Sequence, residues 1–125
     1  VLVKIKGKDK LVLVSDCTKA GGMGDGVYDL GGQKTVVKDN VSRTENGTLA
    51  GSMLSLNTAV KNILKYTDIQ IYEAVNMASL NPAKVLGLDN TIGSIKVGKT
   101  ADMVIFDKEL NIHSTIINGN VVFNK

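Results

Sequence analysis

The feature that most constrains this chain is a short apolar run, Leu11 to Val14 (Leu-Val-Leu-Val), which stops abruptly at Ser15-Asp16. An unbroken apolar run of this length is typical of a strand buried on both faces, as in parallel sheets and barrels. A single strand of this type cannot form a sheet, and its natural neighbours are not in this chain. The first half is therefore predicted to be the last strand-and-helix unit of a larger α/β barrel.

The rest of the chain divides into a hairpin region, a helical region and a β-rich tail. Closely spaced glycines and apolar runs predict strands at Val27–Leu30, Lys34–Lys38, Val41–Glu45, Gly93–Lys96, Met103–Phe106, Ser114–Ile117 and Asn120–Phe123. An apolar face at helical spacing predicts a helix from about residue 52 to Tyr66. A second helix is predicted after a cap at Thr67-Asp68, and a short third one over 83–86. The tail is predicted to belong to a separate β-domain.

The composition fits one domain with an aliphatic core, because the 125 residues are 43% hydrophobic but only 4% aromatic. The net charge of +3 is spread out, and the lysines at 4, 6, 8 and 10 have no aromatic neighbour. They are predicted to be a solvated face, not a nucleic-acid site. No apolar run approaches the roughly 18 residues of a membrane span, and the start does not resemble a signal peptide. A single cysteine excludes an internal disulfide and fits a reducing compartment. The start at Val1 permits an excised fragment.

Asp16 is the residue best placed for chemistry, because it follows the predicted barrel strand directly. The C-terminal ends of barrel strands face the active site, where a carboxylate can act as general base or acid. The alternative is that the Asp16 carboxylate only caps a turn. The residues themselves leave both interpretations open.

The segment Gly-Thr-Leu-Ala-Gly-Ser (47–52) also has two interpretations. Small residues before a helix let a ligand approach free backbone N–H groups. Alternatively, the segment is an ordinary loop with Ser52 as the helix N-cap. His113, the only histidine, lacks a partner at metal-ligand spacing and is predicted to be structural or solvent-facing. Cys17 is predicted to be a small buried thiol.

Six blocks of residues follow one another along almost the whole chain. They are Leu-Val-Leu-Val-Ser-Asp (11–16), Ala-Gly-Gly (20–22), Gly-Thr-Leu-Ala-Gly-Ser (47–52), Glu-Ala-Val-Asn-Met-Ala-Ser (73–79), Asn-Pro-Ala-Lys (81–84) and a closing block at 93–104. This combination resembles the N-acetylglucosamine-6-phosphate deacetylases of the amidohydrolase superfamily. Dihydroorotases, hydantoinases and imidazolonepropionases share the closing block, so the segment at 47–52, after the strand-end aspartate, is what selects the deacetylase.

The resemblance implies an α/β fold with a TIM-like (β/α)8 barrel of the metal-dependent hydrolases. Residues 1–88 would supply its last strand and helices, and residues 89–125 the C-terminal strands of a small β-sandwich. The implied reaction is hydrolysis of N-acetylglucosamine 6-phosphate to glucosamine 6-phosphate and acetate, in cytoplasmic amino-sugar metabolism. The implied partner is an amino-sugar phosphate, with no nucleic acid and no membrane.

The resemblance also implies roles for individual residues. Asp16 matches the aspartate that takes a proton from metal-activated water and passes it to the leaving amine. Leu49, Ala50 and Gly51 match the loop that contacts the sugar. A divalent metal, zinc or iron, is implied for the full-length enzyme, which is expected to be a homodimer. The metal ligands of the family, a glutamate and two histidines, lie upstream of this strand, so no residue here is predicted to bind metal.

Because the metal ligands of the family are not among these residues, the 125 residues alone are predicted to be inactive and to bind no catalytic metal. A lone barrel strand and half a sandwich would expose apolar faces and strand edges, so self-association is expected. Three alternatives stay open: part of an amidohydrolase acting on cyclic amides, a non-catalytic β-rich binding module, and a truncated product without a role of its own.

Overall fold

The computed structural model describes residues 1–125, which form two compact units, Val14–Ala59 and Val1–Leu13 with Val60–Lys125. The elements in chain order are α1 (Leu2–Lys6), a 3-10 helix (Lys8–Lys10), β1 (Gly26–Leu30), β2 (Gln33–Lys38), β3 (Val41–Thr44), α2 (Leu56–Tyr66), α3 (Ile71–Ala78), α4 (Leu80–Val85), β4 (Met103–Phe106), β5 (Ile112–Ile117) and β6 (Asn120–Asn124). None of these helices has the length and apolar character needed to cross a membrane. The predicted boundary between residues 88 and 89 separates barrel from sandwich and stays a prediction.

The unit at 14–59 contains an antiparallel sheet in the order β1-β2-β3. The predicted hairpin at Gly31-Gly32 is confirmed, since Leu30 pairs with Gln33 across these two residues, whose φ angles are 62° and 87°. Two consecutive positive φ angles are what a tight two-residue hairpin turn requires, and glycine adopts them without steric cost. A second two-residue turn, Asp39-Asn40, joins β2 to β3, which confirms the predicted third strand.

A small apolar cluster holds this unit together. It consists of Ala20, Val37 and Met53, with Tyr28 packed against it. Thr35 is buried beside it, and its hydroxyl donates to the carbonyl of Tyr28 at 3.1 Å, so its polar group has a partner. The cluster thus connects the sheet with the segment that follows residue 16 and with the segment that follows residue 51.

The other unit has its core between helices α2 and α3. Val60 and Ala74 are buried there with Leu110, and the residues packed against them are Leu13, Ile63, Leu64, Ile69, Val75, Ala78 and Phe106. The predicted apolar faces of both helices are therefore confirmed, except at the first residue of each helix, since Leu56 and Ile71 are 39% and 43% exposed. The tail forms a second antiparallel sheet in the order β4-β5-β6, with the predicted Asn118-Gly119 turn between Ile117 and Asn120.

The predicted strand at Leu11–Val14 is wrong for this chain: the segment is extended but belongs to no strand. Only alternate residues are half-buried, while Val12 and Val14 are 37% and 69% exposed. Its backbone groups bond to helices instead of strands, since the Leu13 N–H donates to the carbonyl of Met77 at 2.8 Å. A strand of a sheet requires at least one paired neighbour, and no other segment of the chain pairs with this one.

The strand predicted at Gly93–Lys96 is also wrong, because Gly93 and Ser94 form bends and Ile95 and Lys96 have no regular secondary structure. The ammonium group of Lys99 gathers the segment by donating to the carbonyl of Ile92 at 3.2 Å, the hydroxyl of Ser94 at 2.7 Å, and the carbonyl of Asp89. Lys99 thus binds the Ser94 side chain and the carbonyls of two residues that precede the segment, and no strand forms at 93–96.

The helix starts differ from the predicted ones because local caps decide them. Helix α2 begins at Leu56 and not near residue 52, and helix α3 is capped by Gln70 and Glu73 and not by Thr67-Asp68. The N–H of Gln70 donates to the Glu73 carboxylate at 2.8 Å, as in a capping box. Helix α4 begins at Leu80, earlier than predicted, and accommodates Pro82 in its first turn. The lysines at 4, 6, 8 and 10 are exposed, as predicted.

Candidate active site

Asp16 ends the extended segment in a left-handed backbone conformation, with φ at 47°. Such a conformation is uncommon outside glycine, although aspartate tolerates it better than most residues. The side chain is exposed, and its carboxylate makes no hydrogen bond within the chain. A turn-capping aspartate would accept a backbone N–H, so the turn-cap interpretation of Asp16 is not supported. Its oxygens are free to accept a proton or a polar ligand group.

The residues directly after Asp16 contact the segment after residue 50. Cys17 and Ser52 form an isolated parallel bridge, and the N–H of Thr18 donates to the carbonyl of Ser52 at 2.9 Å. The Thr18 hydroxyl lies 3.7 Å from the sulfur of Met53. The residues directly after the block at 11–16 are therefore joined by backbone pairing to the block at 47–52, although the two lie far apart along the chain.

The loop itself is folded onto strand β3. The N–H of Thr44 donates to the carbonyl of Thr48 at 2.8 Å, and the N–H of Ala50 to the carbonyl of Ser42 at 2.9 Å. Between these bonds Arg43 faces Leu49 as a bridge pair. Ala50 is buried, whereas Leu49 is 65% exposed. The Leu49 side chain is therefore exposed to solvent, while the buried Ala50 holds the loop against β3.

The prediction that this loop leads straight into a helix is wrong. Ser52 does not cap α2, because its hydroxyl accepts the N–H of Leu54 at 3.0 Å in a local turn. The first intrahelical bond of α2 runs from Ala59 to the carbonyl of Ser55 at 3.0 Å. The free N–H groups of the helix start therefore lie after residue 55 and are not part of the loop at 47–52.

Cys17 is exposed, so the prediction of a buried thiol is wrong. The bridge to Ser52 fixes the Cys17 backbone at the surface of the unit. A Cβ added to Gly21 would lie 2.1 Å from the Cys17 Sγ atom, so a side chain at position 21 would force the thiol to turn away. Burial here was predicted from residue type alone, and exposure of a single side chain has no signal in sequence.

His113 lies on β5, and its Nε2 atom is 3.4 Å from the Asp107 carboxylate. Asp107 also accepts the side-chain amide and the N–H of Asn111, both at 2.9 Å, and the N–H of Glu109 at 3.0 Å. These hydrogen bonds, those from Asn111 above all, lower the pKa of Asp107 from 3.8 to about 2. His113 is half-exposed, which confirms its predicted solvent-facing role.

The chain contains no cluster of three or more histidine, cysteine, aspartate or glutamate side chains that could hold a metal ion. A hydrolytic metal centre uses three or four such ligands, and Asp16 has only the exposed thiol of Cys17 directly beside it in sequence. The residues of this chain do not by themselves fit a metal site.

The fold and this site agree with a family assignment from sequence. The pattern of the Amidohydrolase family matches residues 8–122, and the chain belongs to this family. The N-acetylgalactosamine-6-phosphate deacetylase of Escherichia coli O157:H7 is 42% identical over 114 residues, which are 91% of this chain and 30% of that protein. The N-acetylglucosamine-6-phosphate deacetylase of Bacillus subtilis is 39% identical over 118 residues, which are 94% of this chain and 30% of that protein.

Solved structures of deacetylases also match this chain. The N-acetylglucosamine-6-phosphate deacetylase of Thermotoga maritima matches with a TM-score of 0.88 at 43% identity, over 99% of this chain and 34% of that one. A mutant of the Mycobacterium smegmatis enzyme, in complex with N-acetyl-D-glucosamine-6-phosphate, matches with a TM-score of 0.88 at 28% identity, over 97% of this chain and 32% of that one. The chain spans about a third of these proteins, although it covers 68% of a shorter relative from Escherichia coli K12.

Proposed function

We propose that this chain carries the proton-transferring carboxylate and part of the sugar-contacting loop of an N-acetylglucosamine-6-phosphate deacetylase. The observation that carries the proposal is the pairing of Cys17 with Ser52 beside an exposed Asp16 that has no hydrogen bond. This pairing supports the proposal because it joins the segment that carries a free carboxylate to the loop at 47–52, in a chain whose relatives are deacetylases of acetylated amino-sugar phosphates.

The role of Asp16 follows from the chemistry of amide hydrolysis. A water molecule attacks the acetamide carbonyl carbon, and the Asp16 carboxylate accepts the proton that the water loses. The tetrahedral intermediate then breaks its C–N bond, and the Asp16 carboxyl group returns that proton to the leaving nitrogen. The products are acetate and the free amine of glucosamine 6-phosphate. One carboxylate serves both steps, so no net proton is gained or lost by the protein.

The loop would contribute mainly through shape. Leu49 offers an exposed apolar side chain, which suits the apolar face of a sugar ring or its acetyl methyl group. Ala50 has its N–H bonded to Ser42, so its own contribution is limited to its carbonyl and its small volume. Gly51 adds a backbone that a ligand can approach closely.

We extend the proposal to the parts of the enzyme that this chain lacks. Residues 1–88 would supply the last strand and helices of a (β/α)8 barrel, in which Leu11–Val14 gains its parallel neighbours. Residues 89–125 would supply strands of a β-sandwich. A divalent metal, zinc or iron, would be held by residues outside this chain, and the complete protein would act as a cytoplasmic homodimer. The barrel assignment is supported by the match to complete deacetylase structures.

A second candidate substrate is N-acetylgalactosamine 6-phosphate, because the galactosamine relative from Escherichia coli O157:H7 is 42% identical and the glucosamine relative from Bacillus subtilis 39%. The two sugars differ only in the orientation of one ring hydroxyl. Comparison of kcat/KM for the two substrates separates these candidates.

The test of the proposal is Asp16→Asn in the protein expressed from its own gene, so that any residues flanking these 125 are kept. We expect acetate release to fall at least about a hundredfold, since general acid–base groups contribute roughly 10²–10⁴. Asp39→Asn is the matched control: Asp39 is also exposed, also has a positive φ (51°), and its carboxylate also makes no hydrogen bond. Equal activity of the two variants, or no deacetylation by the wild type, would contradict the proposal.

A further inference from the structure

Thr18 and Gly51 fill one shared space where the two segments of the candidate site meet. A Cβ atom added to Gly51 would lie 2.3 Å from the Thr18 Cγ2 atom, whereas the next atoms, on Leu30 and Thr18 itself, would lie at 3.8 Å. Carbon atoms in contact lie at about 3.5–4.0 Å, so the Thr18 methyl group alone excludes a side chain at position 51. Gly51 also has a φ of 81°, which favours glycine independently.

Three groups of Thr18 contact three consecutive residues of the loop segment. Its methyl group lies over Gly51, its N–H donates to the Ser52 carbonyl at 2.9 Å, and its hydroxyl donates weakly to the Met53 sulfur at 3.7 Å. The hydrogen bonds of Thr18 therefore hold the loop segment in register with the segment after Asp16. Its methyl group sets how closely Gly51 can approach.

We propose that Thr18 is a positioning residue that sets the spacing between the Asp16 carboxylate and the loop Leu49–Gly51, an inference that rests on the proposed function. Asp16 lies two residues before Thr18, and Gly51 is the residue that the Thr18 methyl touches. A shift of this contact moves the sugar-contacting loop relative to the carboxylate that transfers the proton. Misplacement of a substrate by about 1 Å can lower a rate roughly a hundredfold.

The test is a double-mutant cycle of Gly51→Ala, Thr18→Ser and both changes together, in the protein expressed from its own gene. We expect Gly51→Ala to lower kcat/KM about a hundredfold. Thr18→Ser removes the methyl group but keeps both hydrogen-bond donors, so we expect only a few-fold loss. In the double variant the alanine Cβ would meet no atom closer than 3.8 Å, and we expect at least tenfold recovery relative to Gly51→Ala.

The cycle separates the steric contact from backbone strain. Alanine at a positive φ is strained in both variants that contain it, so this penalty cancels in the comparison. Kinetic constants are measured per folded molecule, with the folded fraction taken from circular dichroism. A positioning role changes KM or kcat of the folded protein, whereas a purely structural role changes only the folded fraction and the thermal midpoint.

Two results would overturn the inference: a double variant as impaired as Gly51→Ala, or alanine variants whose folded molecules keep wild-type KM and kcat. Asp16→Asn is assayed in the same experiment, so that failure of the proposed function can be distinguished from failure of this inference. Wild-type turnover that is absent, or insensitive to Asp16→Asn, defeats the proposed function and this inference with it. Turnover that depends on Asp16 but shows no recovery in the cycle defeats the inference alone.

Discussion

The Asp107 carboxylate accepts hydrogen bonds from Glu109 and Asn111 and faces the ring of His113, at the turn between β4 and β5. All these contacts favour its charged form, which is why its folded-state pKa falls to about 2 although it lies at the surface. The unfolded chain has no such contacts, so its Asp107 titrates near the ordinary value of 3.8. The difference links protonation of this one residue to stability.

We therefore expect Asp107 to stabilise the fold fully above about pH 4 and to lose this contribution as the pH falls toward about 2. The sign follows because the unfolded state binds the proton more tightly than the folded state does. Asp107→Asn should lower the urea midpoint at pH 6 and flatten its dependence on pH between roughly 5 and 2. Circular dichroism measures the midpoints, and Glu109→Gln serves as the control at a neighbouring exposed carboxylate. Parallel pH profiles for wild type and Asp107→Asn would refute this.

At the scale of elements, sequence patterns correctly predicted structures that depend on residues close together in the sequence. They failed where the structure depends on pairing with a distant segment. The β1–β2 hairpin was predictable because Gly31-Gly32 can form its turn without help from the rest of the chain. The run Leu11–Val14 has strand composition, but no other segment of this chain pairs with it, and none pairs with Gly93–Lys96.

The same distinction applies to the candidate site. Asp16 could be selected from its place after an apolar run and from the resemblance of its neighbours to a family. The pairing of Cys17 with Ser52 could not be predicted, because it joins residues far apart in the sequence through an isolated bridge. Thr18 was missed for this reason: only the fold places its methyl group against Gly51.

Asn81, in the first turn of α4, connects the start of the chain to the helices. It is 5% exposed, and its side-chain amide donates to the carbonyls of Lys8 at 2.9 Å and Leu11 at 2.7 Å. Asn81→Ala would leave these carbonyls without their partner, which costs about 1–3 kcal/mol. We expect a loss of this size in the free energy of unfolding measured with urea. The exposed Asn90→Ala is the control and should change it by less than about 0.5 kcal/mol. Equal effects would mean that the Asn81 contacts contribute no stability.

At the scale of the whole chain, apolar side chains remain in contact with solvent on many elements. On β6 alone, Val121, Val122 and Phe123 are 62%, 57% and 48% exposed. This strand is at the edge of its sheet, so one side of its backbone has no partner strand. Exposed apolar edge strands favour pairing with another chain. That the 125 residues by themselves show no turnover also stays a prediction.

We expect the 125-residue chain to self-associate through β6. Sedimentation velocity at increasing concentration should show species larger than 13.3 kDa. Val121→Lys with Phe123→Lys should shift the distribution toward monomer, because charges on an edge strand oppose its pairing with another chain. Val97→Lys adds a charge at a fully exposed apolar position outside any strand, and it should leave association unchanged. A monomeric wild type would contradict the expectation of self-association. Only the β6 variant places its charges where a second chain would pair. An equal effect of Val97→Lys would therefore mean that net charge, and not pairing through β6, controls the association.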